Sequence, residues 1–141
     1  MEKEQQVRAT FELVHAQTRC ARTLCAQLAA WDDPAYKQLL ERVVRMLDQF
    51  TFEIRSEMYR SGEMDFNGFL YKEVGTESEL IAIQAVLDCY DNVLNMTAQA
   101  KIRAMLSRQS RDLQRAYERI VGFHRLAFTA GPAKDPLPPN V

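Results

Sequence analysis

The sequence has no Cys-x-x-Cys pair and only three cysteines, Cys20, Cys25 and Cys89. That is too few for a four-thiolate metal site, and an odd number does not suit a secreted disulfide framework, so they read as small apolar residues. No apolar run approaches the roughly 20 residues that cross a bilayer. The opening MEKEQQVRAT lacks the basic-then-apolar pattern of a signal peptide. A cytoplasmic address without a membrane partner is the expectation. Net charge is nearly absent as well: 18 Lys and Arg stand against 19 Asp and Glu, leaving -1. An anionic partner would therefore be met locally, on the Arg-rich stretch from Lys101 to Arg125. Proline is scarce until the end, where four of the five fall within TAGPAKDPLPPNV. That stretch cannot continue a helix past Pro132 and has no apolar period, so residues 129–141 read as a disordered or draped tail.

What is present is helical pattern. With 141 residues, 47% hydrophobic and 26% charged, the composition is that of an ordinary globular domain large enough for an unstapled core. We assign residues 1–128 to one helical domain. Its clearest element runs from Asp33 to Gly62, where Asp33 can cap free N–H groups, Pro34 fits the first helical position and Gly62 suits a left-handed stop. Between them Tyr36, Leu40, Val43, Leu47, Phe50, Ile54 and Met58 recur at three- and four-residue steps and draw one apolar stripe.

Before it, a helix from about Glu4 to Ala30 has a seam of Val7, Phe11, Val14, Thr18, Ala21, Cys25 and Leu28. Only Trp31 and Asp32 then separate it from the Asp33 cap, so helices one and two must be antiparallel neighbours. After Gly62 the aromatic-rich EMDFNGFLYKEVGT has the length of a bundle crossover and is too apolar for a free linker. A short helix between Asp65 and Gly75, laid over the bundle, fits its signals, with a lid as the sharper alternative. Thr76 and Glu79 match a capping box, which starts helix three there. No Gly or Pro divides helix three from helix four, and we place their turn at Thr97–Ala100. Helix four then shows Ile102, Met105, Leu106, Gln109, Leu113, Ala116, Tyr117, Ile120 and His124 on one face, as far as about Ala127.

The stretch DPAYKQLLERVVRMLDQFTFEIRSEMYRSGE resembles the second helix of the ferritin-like four-helix-bundle proteins of unknown function, a group of small bacterial proteins. LDCYDNVLNMTAQAKIRAMLSRQSRDLQRAYERIVGFHRL, with its Arg108-Gln109 pair and Tyr117, looks like the third and fourth helices of the same group. The resemblance implies an all-α, ferritin-like up-down four-helix bundle with a long crossover between helices two and three. It carries no known activity.

Ferritin-like carboxylate enzymes hold two metals with a Glu on two helices and Glu-x-x-His on the other two. One such spacing exists here, Glu12 to His15, and on a helical wheel it faces away from the helix-one seam. Helix two offers Glu53 and Glu57 without a His, and helix four has Gln109 and Asp112 where ligands would be wanted. No metal, cofactor or catalytic residue is therefore assigned, and a di-metal oxidase or peroxidase is kept as the alternative. His124, on the apolar face of helix four, reads as a core residue or as a cation at a helix C-terminus. Gln109 reads as a hydrogen-bonding residue that fixes register across the core.

Two surfaces remain as binding candidates. Arg108, Arg111, Arg115 and Arg119 form a stripe able to meet phosphates, though it lacks interleaved aromatics and is broken by Asp112 and Glu118, so no nucleic-acid binding is expected at physiological salt. Helix three has, beside its Leu80, Ile83, Leu87, Tyr90, Leu94 seam, a second apolar set of Val86, Cys89, Val93 and Met96. So wide an arc exceeds one bundle contact and predicts a homodimer through that face, or cover by the crossover. The functional expectation is a non-catalytic assembly or binding protein, with a second protein partner also compatible. An anion- or nucleic-acid-binding module through the Arg stripe is the other alternative.

Overall fold

Asp33 starts the second helix as its chemistry requires: its Oδ1 accepts the N–H groups of Ala35 at 2.9 Å and Tyr36 at 3.4 Å, and Pro34 stands first in the helix. In the computed structural model, which describes residues 2–61 and 78–130, this is α2 (Pro34–Ser61). The others are α1 (Glu2–Leu28), α3 (Glu79–Met96) and α4 (Ala100–Ala130). No strand occurs among the described residues, and no helix among them is long and apolar enough to cross a membrane. The expected crossover segment and the residues from 131 onward lie outside the described part. Helix α4 reaches Ala130, a few residues beyond its expected end and into the stretch read as tail.

Each of α1 and α4 packs against both α2 and α3, so α1 and α4 hold opposite corners of a four-helix bundle. The residue pairs set the directions. Gln17 meets both Thr51 of α2 and Tyr90 of α3, and the Cys89 thiol points at the Glu12 carbonyl. Helix α4 meets α2 at Tyr36–His124 and Glu53–Arg108, and α3 at Glu79–His124 and Tyr90–Gln109. Helices α1 and α4 therefore run opposite to α2 and α3, and α3 begins at the end of the bundle where α2 begins.

All seven residues of the expected α2 stripe are buried. At about 1.5–3 kcal/mol per fully buried aliphatic or aromatic side chain, that stripe is a principal source of cohesion. The α1 seam needs correction. Of the expected seam Val14 and Ala21 are buried, but the inward side is centred on Thr10, Leu13, Gln17, Cys20 and Leu24, all buried, whereas Cys25 is exposed and Val7, Phe11, Thr18 and Leu28 are half-buried. Counting hydrophobic residues misplaced the seam because the centre of the true face includes a threonine and a glutamine. Thr10 satisfies its hydroxyl within the helix, on the Gln6 carbonyl at 2.8 Å.

Helix α3 corrects the second expectation. Val86 and Val93, expected on an adjoining outer face, are 0% and 1% exposed inside the single chain. Two neighbours, α1 and α4, cover α3 from two sides, so the wide apolar arc is the width that two contacts demand. Cys89 is half-buried, and Met96 alone of the four is exposed. The cap of α3 also differs from expectation: Ser78, not Thr76, is the N-cap, accepting the Ile81 N–H at 3.3 Å. Glu79 is thereby the first helical residue and its side chain turns inward. At the other end the turn falls where expected, with α3 ending at Met96 and α4 starting at Ala100. Arg103 donates to the carbonyls of Leu94 and Thr97, meeting the unsatisfied C-terminal carbonyls of α3 with a cation.

Candidate functional site

Halfway along the bundle every helix turns a polar side chain inward, and these side chains form one directed chain of hydrogen bonds. The Thr51 hydroxyl donates to Gln17 Oε1 at 2.8 Å, and Gln17 Nε2 donates to the Tyr90 hydroxyl at 2.8 Å. Tyr90 donates to Gln109 Oε1 at 2.7 Å, and Gln109 Nε2 donates to Glu53 Oε1 at 2.8 Å. The path leaves α2 at Thr51, visits α1, α3 and α4, and returns to α2 two residues on. Gln17, Tyr90 and Gln109 are fully buried, so their amides and hydroxyl need protein partners in place of water, and the Gln109 amide has a second one in the Phe50 carbonyl at 3.4 Å.

Burial is the main reason that the Tyr90 hydroxyl is held far above its ordinary pKa, assisted by the Glu53 charge and opposed by the donated Gln17 N–H. For Glu53, partial burial pushes upward, but the hydrogen bonds from Arg108, Gln109 and Gln49 together outweigh it and hold the carboxyl below its usual range. The Arg108 guanidinium lies 2.9 Å from Glu53 Oε1. Glu57, one turn on, takes Arg60 at 2.9 Å and Lys101 at 3.5 Å.

The belt bears on metal chemistry through its donors. A pair of hard metal ions wants several inward carboxylates, and here two amides, a phenol and a single carboxylate engaged by Arg108 fill that level. These residues do not fit such a group. Glu12 is exposed and His15 half-buried along a shallow groove on α1. Among the described residues no cluster of three or more His, Cys, Asp and Glu is arranged to hold a metal ion.

A second polar cluster closes the end where α2 and α3 begin. Glu79, 2% exposed, accepts the Tyr36 hydroxyl at 2.5 Å. His124 Nε2 stands 3.2 Å from the same carboxylate oxygen and 3.1 Å from the Tyr36 oxygen. With Tyr36 donating to Glu79, both His124 contacts are hydrogen bonds only if Nε2 carries the proton. Trp31, in the α1–α2 connection, lies over Tyr36 at 4.3 Å between ring centroids and meets His124 edge-on at 5.3 Å. Phe123 packs against Tyr36 with 5.2 Å between ring centroids. The carboxylate also sits in the first turn of α3, where the helix dipole favours negative charge. Burial, then the Glu79 hydrogen bond and charge, push the Tyr36 hydroxyl far upward. His124 is thus tied to a specific polar cluster as well as to its apolar face. Glu79 escaped the sequence reading because a capping role took it, although it lies one turn before Ile83 on the core side of α3.

The Arg stripe is divided. Arg108 pairs with Glu53 and Arg115 with Asp112 at 3.4 Å, while Arg111 and Arg119 are exposed.

The third feature is an open groove of about 990 Å³ between α1 and α2. It is lined by the small residues Ala21, Cys25 and Ala26, by Val44, and by Phe52 and Tyr59, which are 64% and 44% exposed. Arg22, Asp48 and Arg55 add charge of both signs. Thr51, the first donor of the polar belt, also lines it. Sequence reasoning passed over this face because Phe52 and Tyr59 sit off the α2 stripe, where single apolar residues carry no signal. Comparison of the chain with protein-family models, curated proteins and solved structures found no match.

Proposed function

We propose that this chain is a non-catalytic, ferritin-like helical bundle that works by assembly, presenting the α1/α2 face to another polypeptide. The observation that carries the reading is the open groove, with the exposed Phe52 and Tyr59 in its lining. Exposed aromatics beside small residues are what a docking helix uses: the aromatics supply area, and the alanines let a backbone come close. The ferritin-like arrangement is supported by the helix directions. Helix α3 starts beside the start of α2, so the two run in the same direction, as the second and third helices of a bundle with one long crossover do. The absence of chemistry is supported by the belt, whose polar groups are spent on one another.

The test places a photo-crosslinking residue at Phe52, with Gln114 on the exposed side of α4 as control, in the full chain expressed in its native cells. Adducts to another polypeptide from position 52 and none from position 114 are expected. Equal labelling from both positions, or adducts from position 52 that are all within one molecule, overturns the docking reading. Two equivalents of iron or manganese per chain, together with turnover of oxygen or peroxide, would replace it with the di-metal oxidase.

A further inference from the structure

Resting on that docking reading, we infer that the occupant of the α1/α2 face is a second copy of this chain, its α2 laid antiparallel on the first about a twofold axis at Phe52. At about 100° per residue, Arg45, Asp48, Phe52, Arg55 and Tyr59 fall within roughly an 80° arc of α2, and the buried stripe lies on the opposite side of the helix. A twofold axis makes a surface face itself, so the patch must be complementary to its own reverse. This one is. Centred on Phe52, an antiparallel pairing sets residue n against the residue equally far beyond Phe52 on the other copy.

Phe52 then meets Phe52. Arg45, seven residues before the axis, meets Tyr59, seven residues after it, an arginine over an exposed aromatic ring. Asp48, four before, falls within one residue of Arg55, three after, giving two carboxylate–guanidinium pairs per dimer. The small side chains of Ala21, Cys25 and Ala26 in the groove lining leave room for the second helix. Charge of both signs within one groove suits a self-facing surface better than an anionic or cationic partner, which would select one sign.

Charge reversal tests this directly, because a twofold axis doubles every pair. Asp48→Arg sets arginine against arginine twice, and Arg55→Asp sets aspartate against aspartate twice. Each purified variant is expected to sediment as a helical monomer at a concentration where the unaltered chain is a dimer. Mixed one to one, the two variants restore both pairs and form a heterodimer. Dimers in both single variants, or a mixture that stays monomeric, overturn the pairing. Phe52→Glu, at an exposed position, is expected to give a folded monomer by circular dichroism and light scattering. An unaltered chain that is monomeric at about 100 μM also overturns the pairing. A foreign adduct at position 52 in the crosslinking experiment would even then leave the docking reading standing.

Discussion

The hydroxyl of Tyr90 on α3 and the side-chain oxygen of Gln109 on α4 stand 2.7 Å apart inside the core, and the same hydroxyl receives the Gln17 amide from α1. One phenol thus joins three helices. Tyr90→Phe removes a single oxygen yet leaves a buried donor on Gln17 and a buried acceptor on Gln109 without partners. A loss of about 1–3 kcal/mol is expected by urea denaturation, with helix content retained. A change within a few tenths of a kcal/mol would show that water or a rotated amide takes over the bonds.

Replacing all the buried members at once should be gentler than the single losses suggest. Gln17→Leu, Tyr90→Phe and Gln109→Leu together remove donors and acceptors in matched pairs, leaving Thr51 and Glu53, both part-exposed, to hydrate. The triple variant is expected to lose less stability than the sum of its three single variants. Its amide NMR spectrum should also broaden, because the polar layer that selects one helix register is gone. Strict additivity would mean that the residues do not act as a network.

Stability should fall at both ends of the pH range, for opposite reasons. The folded-state pKa values of Tyr36 and Tyr90 are raised. Their contribution is therefore complete below the unfolded value of about 10 and is lost as pH climbs toward the folded values. The folded-state pKa of Glu53 is lowered, so its contribution is complete above the unfolded value of about 4.3 and is lost as pH falls through the folded one. Urea midpoints measured from pH 3 to 11 should show both declines. Glu53→Gln should flatten the acid side only, and Tyr90→Phe should reduce the slope above pH 10 only.

The end cluster can be read through the only tryptophan of the chain. Glu79→Leu removes the acceptor of the Tyr36 hydroxyl and should cost about 1–3 kcal/mol. Glu79→Gln, which keeps an acceptor in place, should lose less. Since the Trp31 ring centroid lies 4.3 Å from that of Tyr36 and 5.3 Å from that of His124, its emission should shift to longer wavelength in the Leu variant as water enters. Unchanged emission together with lost stability would place the damage elsewhere.

The sequence by itself determined the four helices, the Asp33 cap, the full α2 stripe and the turn before Ala100, because capping and three-to-four-residue periodicity act within one segment. It also determined that Gln109 would hydrogen-bond across the core, since an amide in the middle of an apolar face has to find a partner. Tertiary structure decided which residues Gln109 meets, and it decided the inward side of α1, where the centre of the face is Gln17. It decided the fate of Val86 and Val93 as well, because whether an apolar arc is surface or core depends on how many neighbours its helix has. Glu79 could be a cap or a buried carboxylate on pattern alone. Only the approach of Tyr36 and His124 from two other helices, residues 43 and 45 positions away in the chain, gives that carboxylate a reason to be inside.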